Sequence, residues 1–425
     1  MLQSHTPSDP LFPNLNSLEL PQITESFVSL VPFFLSPSIT TIYLAFGSRV
    51  LSEVAAIASV ITVIKILPTL CPNLQEINLS QLPRDPMITA TVSRMLHVTN
   101  RNILQVFHVQ SPLTKEASEV IYKLPNLRDL WVTVDGPSSL PTFVLPNLTT
   151  IDVEVECDDY HGWLQGFRGA TLGKLASIDI RPRSFSIGDF LEAFECVALT
   201  TSIPETLSHF DFYYASRPWR PNYRSLLPFT QLKELRIVFS CGDYCPSTID
   251  DYIITDLARA LPKLEILHLG AAPCQTLAGV TVKGLAALAY HCLRLSRLRV
   301  HFQVTSLDPP VIPKVAPDTE STMLREDCAL TDLEVGGIPV SEESALMIAL
   351  TLLRIFPHLN FIAYSNRGWS KVAHAIRDSK KLADLSSKEP PIFYTSKIDG
   401  TSLRSRTWER HSIVTFPGRL HPWSR

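Results

Sequence analysis

Glycine is scarce: 16 of 425 residues. A phosphate-cradling loop needs clustered glycines so that backbone N–H groups can approach the anion, and few of these sixteen cluster. No His-Glu-x-x-His and no Gly-x-Ser-x-Gly occurs. A surplus of positive charge is missing too. With 38 Lys+Arg against 41 Asp+Glu, net -3, the chain lacks the basic footprint that nucleic-acid binding requires. Long hydrophobic runs are absent. The longest uncharged apolar run, residues 54–64, lies between Glu53 and Lys65 and is too short for a bilayer, which takes about 20 residues. Residues 1–10 are polar, so no secretory leader is expected. The eight cysteines are Cys71, Cys157, Cys196, Cys241, Cys245, Cys274, Cys292 and Cys328. Cys241 and Cys245 make one near pair, and Cys157 with His161 a loose one. Structural zinc needs four ligands, so these pairs are read as structural or incidental. Reduced thiols in a cytoplasmic or nuclear protein are expected. No catalytic residues, cofactor or metal site are expected, nor is the chain read as an enzyme.

What the chain does have is a phrase, repeated thirteen times: an apolar residue, two variable ones, an apolar residue, one variable, an apolar residue. Its first position falls at Leu15, Ile39, Leu74, Leu104, Leu127, Leu148, Leu175, Leu207, Leu232, Leu264, Leu295, Leu330 and Leu359. The steps run from 21 to 35 residues. The clearest copies follow a proline, as in Leu124-Pro125-Asn126-Leu127 and Leu145-Pro146-Asn147-Leu148. The 33 prolines exceed the usual share of about 5%. Before a phrase, Pro ends a helix and favours extended backbone. This is the strand phrase of a leucine-rich repeat.

The alternation inside the phrase is that of a strand with one buried face. One such strand cannot bury its apolar side alone, whereas parallel stacking gives a continuous core. Each return needs a crossover. Residues 54–67 and 251–261 carry apolar side chains at helical spacing. Thr281 is placed to cap a helix over 283–293, and Ser341 with Glu342 and Glu343 makes another helix start. Strands stack at about 4.8 Å and helices at roughly 8–10 Å. Helices outside and strands inside therefore force curvature. Thirteen strands give an inner arc on the order of 60 Å. The expected class is α/β, an irregular leucine-rich-repeat solenoid with a curved parallel sheet inside and helices outside. No Asn follows the phrases, so irregular turns are expected.

Three segments are expected: a polar stub over 1–10, the solenoid over 11–384, and a basic tail over 385–425, disordered or loosely packed. The tail has seven Lys or Arg against three Asp or Glu. Within the solenoid, residues 306–324 carry Pro309, Pro310, Pro313 and Pro317 and read as a long loop.

The third, fifth and seventh phrase positions are expected to face the concave side. They place there Tyr43, Asp129, Trp131, Asp152, Glu154, Asp179, Asp211, Tyr213, Arg236, Arg297, Arg299 and His301. The middle of that face is acidic, and a basic patch follows at Arg297, Arg299 and His301. Trp131, Tyr43 and Tyr213 are expected to be exposed. Aromatics and Arg dominate binding hot spots, and opposed charge patches set register. A protein partner held by a monomer is the expected use, with no nucleic acid and no membrane.

Several longer stretches resemble the F-box/leucine-rich-repeat-like proteins of mushroom-forming fungi. They include Leu11-Phe12-Pro13-Asn14-Leu15-Asn16-Ser17-Leu18, Cys71-Pro72-Asn73-Leu74, Gly279-Val280-Thr281-Val282-Lys283-Gly284-Leu285 with its continuation to Cys292, and Phe356-Pro357-His358-Leu359. The likeness runs over about residues 11–376. It implies the substrate-recruiting subunit of an SCF-type ubiquitin ligase, in which an F-box docks on the adaptor and the repeats hold the substrate. Here the first phrase begins near Leu11, and no Leu-Pro-x-Glu F-box start occurs. A cullin–RING adaptor is therefore an expected partner only with an F-box upstream. The alternative is a scaffold, or a truncated member with no ligase link. The family carries no catalytic residues.

Overall fold

The computed structural model describes residues 10–47, 54–134, 144–156, 170–182, 203–214, 223–239, 249–270, 279–303, 328–335, 340–364 and 367–383. Cys157, His161, Cys241, Cys245, the 306–324 loop and the 385–425 tail lie outside the described residues.

Every phrase becomes a strand. In chain order these are β1 (Ser17–Ile23), β2 (Thr41–Phe46), β3 (Glu76–Ser80), β4 (Val106–Pro112), β5 (Asp129–Val134), β6 (Thr150–Val155) and β7 (Ser177–Pro182). There follow β8 (His209–Tyr214), β9 (Glu234–Phe239), β10 (Ile266–Leu269), β11 (Arg297–Val300), β12 (Asp332–Val335) and β13 (Phe361–Tyr364). They form one parallel thirteen-stranded sheet in strict sequence order, an open α/β solenoid with β1 and β13 at its edges. Register follows the phrase from coil to coil. Leu130 stands opposite Ile151, Ile151 opposite Ile178, and Ile178 opposite Phe210. The aliphatic positions are sealed: Leu130, Leu235, Leu267 and Leu333 are 0% exposed. Each such side chain contributes about 1.5–3 kcal/mol of transfer free energy. Strand β4 departs from regularity, with a register shift between Val109 and Pro112 against β5.

Among the described residues seven longer helices lie outside the sheet: α1 (Val54–Leu70), α2 (Pro86–Val98), α3 (Lys115–Ile121), α4 (Asp251–Ala260), α5 (Val282–His291), α6 (Glu342–Ile355) and α7 (Arg367–Ala383). Their starts are chemically explicit. Asp85, Thr114, Asp250, Thr281 and Ser341 each accept a hydrogen bond from a backbone N–H of the first turn, which satisfies donors a helix leaves open. Helix α7 brings Trp369, 1% exposed, edge-on to Phe302 at 5.4 Å between ring centres.

Two features at the start of the phrase tie coil to coil. An asparagine does recur, but just before the phrase rather than after it. Asn73 Nδ2 donates to the Pro37 carbonyl (3.0 Å), Asn126 to that of Asn102 (2.7 Å), and Asn147 to that of Pro125 (2.9 Å). A hydroxyl ladder runs beside it, from Thr149 to the Arg128 carbonyl (2.8 Å), Ser208 to Ala176 (3.1 Å) and Ser296 to Glu265 (3.0 Å). The hydroxyls add to carbonyls that already accept backbone N–H groups of the next coil, such as Arg128 from Thr149 and Thr150, so both ladders fix the register of one coil on the next.

The segment from Gly279 to Gly284 docks helix α5 on helix α4. The Asp251 carboxylate accepts from the Thr281 N–H (2.7 Å), the Thr281 hydroxyl (2.6 Å) and the Gly284 N–H (2.9 Å). A Cβ at Gly284 would stand 2.7 Å from Asp251 Oδ1, and one at Gly279 would stand 2.8 Å from the Ile249 carbonyl. At Gly279 a backbone carbonyl leaves no room for a side chain, and at Gly284 the room is taken by the Asp251 carboxylate and the Val280 side chain.

Candidate functional site

The outward fifth phrase positions form one unbroken row across all thirteen strands. It reads Glu19, Tyr43, Asn78, His108, Trp131, Asp152, Asp179, Asp211, Arg236, His268, Arg299, Glu334, Ala363, each opposite the next in register. Parallel strands set neighbours in such a row about 4.8 Å apart, so three aspartates stand side by side at its centre.

That spacing makes the row pair with itself. Arg181, at the next outward position of β7, donates to Asp152 (3.0 Å) and Asp179 (2.8 Å). Arg236 holds Asp211 (3.0 Å) and also Glu234 on its own strand. His108 meets Asp129 at 2.9 Å and His209 meets Glu234 at 3.5 Å. Arg299 reaches Glu334 at 3.3 Å. Arg84, from the turn after β3, lies 3.8 Å from Glu154 and also pairs with Glu156.

These residues stand at outward positions of the sheet and are less exposed than the phrase positions predict. Tyr43, Trp131 and Tyr213 are half-buried rather than exposed. Asp152, Arg299 and His301 are buried, at 8%, 7% and 8% exposed. The physical reason is the close strand spacing, which lets each long side chain lie over its neighbour. Asp129, Glu154, Asp179, Asp211 and Arg236 are intermediate, and Arg297 is exposed. Trp131 packs edge-on to His108, with ring centres 5.9 Å apart. The structure thus brings Asp129, Trp131, Asp152, Glu154, Asp179, Asp211, Tyr213 and Arg236 onto adjacent strands. Tyr43 stands three strands before Trp131, and the Arg297 group two strands after Arg236.

Burial dominates the electrostatics. It raises Asp152 well above the usual carboxylate range; Asp179 beside it adds to that, and Arg181 opposes it. Burial also raises Asp179 and takes Asp211 up to about 7 despite Arg236. For Glu234 burial works upward too, but the His209 hydrogen bond and the Arg236 charge outweigh it and leave the carboxyl lowered. His268 is held down at about 3, first by burial and then by Arg236, Arg299 and Arg297. The phrase puts His268 on this face, yet nothing in its own repeat marks it as a candidate. Its place between Arg236 and Arg299 follows only from the register.

Asp211 yields a pH prediction. Facing it are Asp179 and Arg181 from β7, Glu234 and Arg236 from β9, and His209 and Tyr213 from its own strand. A carboxyl raised from 3.8 to about 7 by folding contributes stability that is complete below its unfolded value. That contribution is lost as pH rises through about 7, with a slope of at most roughly 1.4 kcal/mol per pH unit. Asp211→Asn should therefore gain thermal stability relative to the parent chain as the buffer is taken from mildly acidic to mildly alkaline. Parallel melting profiles across that range would refute the buried carboxyl.

The described cysteines offer no reactive thiolate. Cys71, Cys292 and Cys328 are free and buried, and burial pushes Cys71 up to about 11 and Cys292 up to about 12. Among the described residues no group of three or more His, Cys, Asp or Glu is placed to hold a metal ion. No described helix is long and apolar enough to cross a membrane.

No family model matches this chain, and no curated protein matches it. Among solved structures it is similar to one described as the crystal structure of the Rad7 and Elc1 complex in yeast. The identity is 13%, the match covers 83% of this chain and 76% of that chain, and the TM-score is 0.45.

Proposed function

We propose that the chain is a protein-recognition arc that binds its partner along the outward face of the sheet. The observation that carries this reading is the uninterrupted row from Glu19 to Ala363, one outward side chain per coil. It presents aromatics and both signs of charge in fixed order. Such surfaces suit extended contact, with affinity concentrated at a few aromatic and Arg positions. On this reading the chain is not an enzyme. The family resemblance further suggests recruitment of a substrate to an SCF-type ubiquitin ligase. The second reading is a scaffold with no ligase link.

The test is affinity capture with the full chain and three variants. Trp131→Ala and Arg297→Ala should each weaken capture of the natural partner about tenfold or more. Tyr252→Ala, at an 82% exposed position on helix α4, should leave it unchanged. Unchanged capture by both outward-face variants would remove the reading. Co-capture of a cullin adaptor would favour the ligase role, and capture of a partner without it the scaffold.

A further inference from the structure

We propose that Arg84 is a latch: its arm lies closed over the ends of β4 and β5, and a partner reaches Trp131 once the arm has swung away. The gating of a partner rests on the reading of the outward face as the recognition surface, whereas the latch itself does not.

Arg84 belongs to the turn between β3 and helix α2, yet its guanidinium lies 3.8 Å from Glu154 on β6 and pairs with Glu156 just beyond that strand. Strands β4 and β5 stand between β3 and β6 in the sheet. Three strand spacings make about 14 Å, more than an Arg side chain covers alone, so the turn itself leans sideways. Gln81 sets that lean. At φ 56° it is the one non-glycine among the described residues in the left-handed region, a conformation that an L residue holds at a cost. Its surroundings keep it there. The Gln81 N–H donates to Gln110 Oε1 at 2.8 Å, and Gln110 lies inside the register shift of β4 between Val109 and Pro112. Leu82 is anchored in the core at 6% exposed. Asp85 is fixed as the cap of α2, accepting from the Met87 N–H at 2.7 Å. The part of the turn left to move is Pro83 with the Arg84 arm.

The closed arm shuts polar groups away from water. Glu154 stands opposite Thr133 in register, and Asp152 opposite Trp131, so the arm ends beside the strand that carries the indole. Thr133 and Ser80 hold outward phrase positions, yet they are 4% and 2% exposed. Ser80 Oγ, at the root of the turn, and Trp131 Nε1, near its far end, are sealed from solvent and have no hydrogen-bond partner. A polar atom that loses water without gaining a partner destabilises the arrangement that seals it. What favours closure is an ion pair whose Arg84 side chain is 57% exposed, the kind that contributes little and weakens as salt screens it. Two small opposing effects leave the arm easily released, by salt or by a partner that pairs with Ser80 and Trp131 in its place.

The experiment is hydroxyl-radical footprinting of the full chain, read by mass spectrometry at Trp131. Tyr252, 82% exposed, serves as the internal dose reference. In the parent chain, oxidation of Trp131 relative to Tyr252 should rise about threefold or more between about 0.05 M and about 1 M salt, where the screening length falls to about 3 Å. Arg84→Ala should show the raised level already at low salt and respond no further. Arg94→Ala, which removes the same charge from an exposed position on α2, should behave as the parent does. Equal low-salt oxidation in the parent and Arg84→Ala, a full salt response retained in Arg84→Ala, or Arg94→Ala matching Arg84→Ala would each overturn the latch. Circular dichroism checks folding, and if Arg84→Ala does not fold, the salt series on the parent chain decides, a flat series overturning the latch. Capture of the natural partner by Arg84→Ala should strengthen about threefold or more, because the closed fraction no longer competes with binding. The two levels fail separately. If the footprints respond as expected while neither Arg84→Ala nor Trp131→Ala alters capture, the latch stands and its role in recognition falls. If Trp131→Ala loses the partner while Arg84→Ala changes neither footprint nor capture, the recognition face stands and the latch falls.

Discussion

Phe212→Ala should destabilise the chain by about 3–5 kcal/mol, the cost of removing a large ring from a sealed core site. Phe212 is 0% exposed and lies between Ile180 on β7 and Ile237 on β9. Neighbouring coils cannot close the gap, because each is held in place by its own strand ladder. The damage should also be local. In a stacked array a coil touches only its neighbours, so amide exchange should accelerate across β7, β8 and β9 well before it does at β1 or β13. Partner binding should fall with it, since β8 carries Asp211. Leu346→Ala, at a 54% exposed site on helix α6, should change stability by less than about 0.5 kcal/mol. Chemical denaturation with hydrogen exchange read by mass spectrometry checks both. A uniform rise in exchange along the chain would contradict the local picture.

Asp251→Ala should cost about 3 kcal/mol, because three donors lose one charged acceptor at once. Charge-assisted bonds contribute about 1.5–3 kcal/mol each and do not add fully. The Thr281 N–H, the Thr281 hydroxyl and the Gly284 N–H all converge on this carboxylate, and no other side chain takes them over in the docked arrangement. Asp251→Asn should recover only part of the loss: its Oδ1 can keep the two N–H donors and its amide can donate to the Thr281 hydroxyl, but the charge that strengthens all three bonds is gone. Gly284→Val should reproduce the defect from the other side, because a Cβ there meets Asp251 Oδ1 at 2.7 Å. Thermal melts of the three variants decide the matter, and a loss below about 1 kcal/mol for Asp251→Ala would show that the helices dock by packing alone.

The thirteen strands were legible because a strand's alternation is local. Copies as loose as Leu104, Phe107, Val109 and Leu359, Ile362, Tyr364 still became β4 and β13. The helix starts at Thr281 and Ser341 were legible for the same reason: a cap acts over three residues. What escaped depends on which residue of one coil meets which residue of another. A regular repeat carries its asparagine after the phrase, where it bonds the bend, whereas Asn73, Asn126 and Asn147 sit before it and bond the previous coil. Likewise, no pattern within a single phrase shows that Arg181 bridges Asp152 and Asp179, or that Arg236 and Arg299 flank His268. The stretch from Gly279 to Gly284 carries part of the family likeness, but its physical purpose depends on Asp251, which lies on another coil.

The row's simple arithmetic has one further outcome. Because it takes one side chain from every coil, the outward face behaves as a ruler whose graduations are repeats. Duplicating or deleting a whole coil would slide every downstream group by one graduation, about 4.8 Å, while leaving the packing of each remaining coil nearly as it was. The distance between the aspartate trio and the Arg297–Arg299 patch, with β9 and β10 between them, can thus be reset by adding or removing a coil, without redesigning any contact within one.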